Sequence, residues 1–284
     1  MQYQKVIEQL TARPASDGDG VKLLRVFGGG NLQRFDPFLM LDEFGSDEAA
    51  DYIGGFPPHP HRGFETVTYM LQGKMEHRDH MNNIGLLSDG GVQWMTAGKG
   101  IIHSEMPQQT AGKMRGFQLW VNLPAARKMT PASYKDIDAD AVPVYALPQA
   151  YIKMLAGEVN IAGHVLSGAV QVQDTHVLYM DVHLAPQQQI DIPIDEGNNT
   201  LLYTYDGGVK LTPELINSPA QTISRFSGDG TIAVHNVSDN EARFIVISGK
   251  PIGEPIAHYG PFVMNTQAEI EQAMRDYQNG SLTT

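Results

Sequence analysis

Short runs of β-branched and aromatic residues, punctuated by Gly, Pro, Asn and Asp, recur along almost the whole chain. Such a pattern predicts many short strands joined by tight turns. Val6-Ile7 and Val21–Phe27 are strand-like and are parted by Arg-Pro-Ala-Ser-Asp-Gly-Asp-Gly. Gly28-Gly29-Gly30 reads as a permissive turn. No helix signal follows it and position 33 is Gln, so the phosphate-loop spacing Gly-x-Gly-x-x-Gly fails. Phe35–Phe44 is a strand entered through Asp36-Pro37, and its adjacent Asp42 and Glu43 point to opposite faces, which argues against shared acid–base work. Thr66–Leu71, the hairpin bearing His77 and His80, Val92–Thr96 and Gly116–Leu123 complete a first group of strands; the two histidines read as polar hairpin residues. Between Pro124 and Pro148 the texture turns to Ala, Lys, Asp and Pro, the best linker candidate. A boundary near residue 140 is expected, with domains 1–135 and 136–284.

Strands resume at Lys153–Leu155, His164–Leu166, His176–Leu184, Leu201–Tyr205, Thr231–Val237 and Ala242–Ser248, predicting a second sandwich or barrel. This half reads as a degenerate repeat of the first: Thr200–Gly207 has the texture of Thr66–Gly73, and Gly228–Asn236 echoes the segment around residue 100. The tail is different. Thr266-Gln-Ala-Glu269 is a capping box, and Ile270, Ala273, Met274 and Tyr277 fall at i, i+3, i+4 and i+7, so a short helix is expected to dock on a barrel of its own chain. The fold class is therefore all-β, two barrels with a short C-terminal helix.

Composition narrows the function. Lys and Arg number 20 against 32 Asp and Glu, a formal net charge of −12 with no basic cluster, which argues against direct binding of nucleic acid or anionic membrane. The absence of cysteine excludes disulfides, thiolate metal sites and cysteine catalysis. The N-terminus has no readable secretory signal, and nowhere do 18 apolar residues run together, so a cytoplasmic chain, expected as a monomer, is the reading.

Chemistry concentrates between Gly54 and Glu105. Gly-Gly-Phe-Pro-Pro-His-Pro-His-Arg-Gly-Phe-Glu-Thr-Val carries His59, His61 and Glu65; Thr-Ala-Gly-Lys-Gly-Ile-Ile-His-Ser-Glu-Met-Pro carries His103 and Glu105. Residues i and i+2 of a strand share a face, so two neighbouring strands would bring His59, His61, His103 and Glu105 together. Three imidazoles and a carboxylate suit a first-row divalent metal with room for a further ligand. The corresponding stretches of the second half keep no histidine pair, and His164, His176, His183 and His235 read as structural or surface residues.

These two segments, with Phe117-Gln-Leu-Trp-Val-Asn-Leu123 and His258-Tyr-Gly-Pro-Phe-Val-Met-Asn-Thr266, closely resemble the pirin family of the cupin superfamily over nearly the whole chain. The resemblance implies two cupin-type, jelly-roll-like barrels with one non-haem iron (Fe2+) in the N-terminal barrel, held by His59, His61, His103 and Glu105. Mn, Ni, Cu and Zn fit the same donors. Bacterial members of the family are associated with cleavage of flavonols such as quercetin by dioxygen. In that reading Glu105 is also the catalytic base toward the substrate's 3-hydroxyl, and Phe56, Met95 and Ile101 are candidate walls of the aromatic substrate's pocket. Other members are associated with metal- and redox-dependent regulation through a protein partner, which is the competing expectation. Most cupins take their carboxylate from the first motif; here that would be Glu65, whose parity with His61 the intervening Arg62-Gly63 can break.

Overall fold

The computed structural model describes residues 2–28 and 35–284; of the expected glycine turn, Gly29 and Gly30 lie outside the described residues. The chain divides into two compact units, Arg13–Asp140 with Ile252–Thr284, and Met1–Ala12 with Ala141–Pro251. Each is built of antiparallel strands in the same plan, a seven-stranded and a four-stranded sheet.

In the first unit the large sheet runs Ser133–Ile137, Val92–Thr96, Phe64–Gln72, Met114–Asn122, Phe38–Ser46, Val21–Gly28, Arg13–Asp17. The small sheet runs Phe56–His61, Ile101–Pro107, Met75–Asp79, Ile84–Leu87. Period-2 alternation sends Val21, Leu23, Phe44, Met70, Met75 and Met114 into a shared core. In the second unit the strands Asn199–Asp206 and Gly230–His235 occupy the places that Phe64–Gln72 and Ile101–Pro107 hold in the first. The repeat seen in the sequence is thus a repeat of topology. Where the first unit pairs His59 with His103 and His61 with Ile101, the second pairs Ile192 with Ile232 and Ile190 with Val234, all four in a dry apolar core.

The expected division 1–135 and 136–284 misplaces both ends. Lys5–Thr11 pairs with Thr222–Ser227, occupying a sheet edge that would otherwise present unpaired backbone groups, and so belongs to the second unit. The tail belongs to the first. Its helix, Gln267–Gln278, is capped by Thr266, which accepts from the Glu269 N–H, while Glu269 returns a bond to the Thr266 N–H. Ile270 and Ala273 of this helix pack with Phe262, Met264 and Ile102. Arg62 fixes the same tail, bonding Asp276 at 2.7 Å, the Leu282 carbonyl at 3.1 Å and the Lys99 carbonyl.

Lys128 is a second clasp. Only 1 % exposed, it donates to the Gly63 carbonyl (2.8 Å), Asn122 Oδ1 (2.7 Å) and the Val263 carbonyl (3.0 Å). Burial pulls its ammonium down to about 8, partly offset by Glu254, Glu269 and Asp36. Lys128→Met would leave three buried acceptors without their donor, so a loss of about 3 kcal/mol is expected in equilibrium chemical denaturation. An unchanged midpoint would show that the clasp holds nothing.

Candidate metal centre

The strand Phe56–His61 lies antiparallel to Ile101–Pro107, with His59 opposite His103 and Ile101 opposite His61; a register shift follows between His103 and Glu105. Rings on one face of this pair must crowd together. The His59–His103 ring centroids are 4.4 Å apart, His59–His61 4.7 Å and His61–His103 5.0 Å. Their ligating atoms lie within 4.8 Å of one another, a three-histidine group able to hold a metal ion.

The protonation pattern suits that role. Burial holds His61 and His103 well below the usual imidazole range, and neighbouring histidines add to it, His59 for His61 and His61 for His103. Both rings are therefore neutral, the form that coordinates metals. His59 Nδ1 sits 2.9 Å from the Pro57 carbonyl and so carries the hydrogen, which leaves Nε2 as the base. His61 Nδ1 and His103 Nε2 are buried without a hydrogen-bond partner. A buried polar nitrogen with nothing to bond is costly in a closed protein interior, and a cation between these rings would relieve it.

Glu105 stands apart from the three-histidine group but faces the same cavity. It is buried, and Thr68 Oγ1 lies 3.1 Å from its Oε1 and 2.6 Å from Gln118 Oε1. Glu65 lies elsewhere. Strand Phe56–His61 ends before Gly63, whose φ of +92° breaks the parity, and a Cβ there would come within 1.9 Å of the Val263 carbonyl. Glu65 then pairs across to Val121 and accepts from Thr96 Oγ1 at 2.6 Å, while Thr66 and Thr68 take the face of Trp120 and Gln118. Asp42 and Glu43 do point apart, to Arg25 and Arg115 respectively.

A cavity of about 790 Å3 opens on His59, His61 and Glu105. Phe56 lines it as expected, with Leu23, Phe44, Met75 and Trp120. Met95 and Ile101 do not; they are buried in a core cluster with Ala97. The tail supplies another wall, His258, Gly260 and Pro261, which sequence reasoning matched to a motif without giving it a place. Trp120 and His61 meet edge-to-face at 5.3 Å, and Phe64 lies tilted against Trp120 at 4.3 Å. His77 was also misread: it is 2 % exposed, and its Nε2 lies 2.6 Å from His103 Nδ1. The signal was there, since His77 stands two residues from Met75 and shares its inward face. His80 is exposed, as a hairpin residue should be. His164 and His176 are exposed, and His183 and His235 are half-buried.

The Pirin family model matches residues 20–121 and the Pirin C-terminal cupin domain matches residues 179–283. A Pseudomonas aeruginosa protein provisionally named a quercetin 2,3-dioxygenase is 49 % identical over 99 % of this chain and 98 % of its own length. A pirin-like protein of Caulobacter vibrioides is 45 % identical over 99 % of both chains. Among solved structures, a quercetin 2,3-dioxygenase from Acinetobacter baumannii superposes with a TM-score of 0.90 at 32 % identity, covering 100 % of this chain and 99 % of the other.

Proposed function

Since the chain belongs to the pirin family, with two cupin domains, we propose that it is a non-haem iron dioxygenase that cleaves flavonols such as quercetin with dioxygen. His59, His61, His103 and Glu105 hold Fe2+ in this reading. One observation carries it: three imidazoles converge where a buried carboxylate and an apolar, aromatic-walled cavity meet. A divalent ion among these ligands keeps a net charge near +1, which supplies Lewis-acid attraction for a deprotonated hydroxyl and a place for dioxygen.

The protein's own residues do the rest. The cavity volume falls within the about 300–1,000 Å3 usual for small-molecule sites, enough for a flat three-ring substrate. Phe56, Phe44 and Trp120 hold the rings, and Asp17 and Asp19 at the mouth offer acceptors to peripheral phenol hydroxyls. Glu105 takes the proton of the substrate's 3-hydroxyl onto its carboxylate, leaving the oxyanion on the substrate. Thr68, donating to Glu105, holds the carboxylate in place.

The test is anaerobic loading of the full-length protein with Fe2+, then quercetin and air, following quercetin absorbance and oxygen uptake together. Equimolar consumption of both is expected, with about one metal per chain, because isoleucines and a valine fill the equivalent place in the second unit. Two metals per chain would contradict that stoichiometry. Tight binding of quercetin without oxygen uptake would favour a metal- and redox-sensing regulator acting through a protein partner.

A further inference from the structure

The close pair His77–His103 carries a consequence for how a metal could be held. His77 lies on Met75–Asp79, the strand on the far side of the His103 strand from His59, and stands directly opposite Glu105. Its Nε2 is 2.6 Å from His103 Nδ1, with ring centroids 4.8 Å apart and both residues nearly unexposed, at 2 % and 1 %. Tyr134 meets the His77 ring edge-on at 5.4 Å and 72°, which fixes the ring plane.

Two neutral imidazoles at this distance share one hydrogen between the facing nitrogens, so one ring donates and the other accepts. If His77 donates, His103 must carry its own hydrogen on Nε2, the buried nitrogen that has no acceptor, and Nε2 has no free lone pair. If His103 donates from Nδ1, its Nε2 lone pair is free, and His77 carries its hydrogen on Nδ1, a nitrogen equally buried and without a partner, so hydrogen-bond satisfaction alone does not choose between the two. Only the second arrangement leaves His103 able to ligate. We propose that His77 is a positioning residue that accepts the His103 Nδ1 hydrogen and thereby locks His103 in the tautomer whose Nε2 is free for a metal. The inference rests on His103 being a metal ligand and not on the reaction catalysed. A histidine is an uncommon acceptor for this purpose, since carboxylates and backbone carbonyls usually fill it. Its consequence is that metal binding and the proton position on His77 are coupled: an ion on His103 Nε2 excludes the tautomer in which His77 donates.

The experiment uses the full-length protein with Zn2+ as a diamagnetic probe. Imidazole nitrogen NMR on the loaded protein should show His103 Nδ1 protonated and His77 Nε2 unprotonated. Zn2+ affinity should fall about 10–100-fold in His77→Leu, the usual cost of losing a residue that orients a ligand, and should be largely restored in His77→Gln, whose carbonyl oxygen can still accept. Wild-type affinity in His77→Leu would overturn the proposal, as would a Zn2+-bound nitrogen on His77 or a protonated His77 Nε2 in the loaded protein. Loaded protein that shows the expected tautomer but never consumes quercetin would sustain this inference while removing the dioxygenase reading.

Discussion

Full-length His103→Ala is expected to emerge folded, without metal, and with flavonol turnover at background; His61→Ala should behave alike. Both side chains are almost wholly buried, and each has a nitrogen with no hydrogen-bond partner. Removing the His61 ring removes an unsatisfied group along with its packing, whereas removing His103 also leaves the buried His77 Nε2 without its partner, so His103→Ala should melt lower than His61→Ala while still folding; in either case a three-histidine site loses a third of its imidazoles. The affinity loss should exceed the about 10–100-fold that follows loss of a merely supporting residue. Elemental analysis of purified protein, paired with a thermal melt monitored by circular dichroism, separates loss of metal from loss of fold. Of the three proposed ligands, His59, half-buried and with Nδ1 tied to Pro57, is the one whose removal should be tolerated best. Stoichiometric metal on folded His103→Ala would move the site elsewhere.

Glu105→Gln is expected to reduce kcat by about 10²–10⁴-fold, the range for loss of a general base, whereas Glu65→Gln should cost less than about tenfold. Both carboxylates are buried and each accepts from a threonine, so burial alone does not rank them. Direction does. Glu105 opens on the cavity shared with His59 and His61, whereas Glu65 is turned to the opposite face of its strand by the break at Gly63. Gln keeps the shape and the contact to Thr68 while removing the proton acceptor, so kcat should fall more than the melting temperature. Steady-state kinetics with metal content measured on the same samples decides it. If Glu65→Gln proved the more damaging, the carboxylate would belong to the first motif.

Much of this was legible in the chain because the information was local. Residues two apart on a strand share a face whatever the strand pairs with, so His59 with His61 and His103 with Glu105 follow from spacing alone. The helix also follows locally, from Thr266, Glu269 and the stripe through Ile270 and Ala273. What escaped was long-range. Nothing near Lys5–Thr11 says that its partner is Thr222–Ser227, over two hundred positions away, because hydrophobic alternation fixes a face and leaves the neighbour open. The His258–Pro261 wall was hidden for the same reason. His77 escaped differently: a polar residue in a hairpin is usually solvated, and only the strand beside it reveals a buried partner. Met95 and Ile101 were assigned to the cavity on apolarity, which suits a core equally well.

The interleaving of the two ends also sets an order of events during synthesis. Residues 252–284 complete the first unit, yet they leave the ribosome after every strand of the second. Until then the nascent chain lacks His258, Gly260 and Pro261 of the cavity wall, the Asp276 that neutralises Arg62, and the Val263 carbonyl that shares Lys128. The second unit, opened by residue 5 and closed by residue 249, has all its strands first. The unit that begins at Arg13 is therefore the later one to finish, and a chain ending before residue 252 would carry His59, His61 and His103 beside a cavity that is never closed.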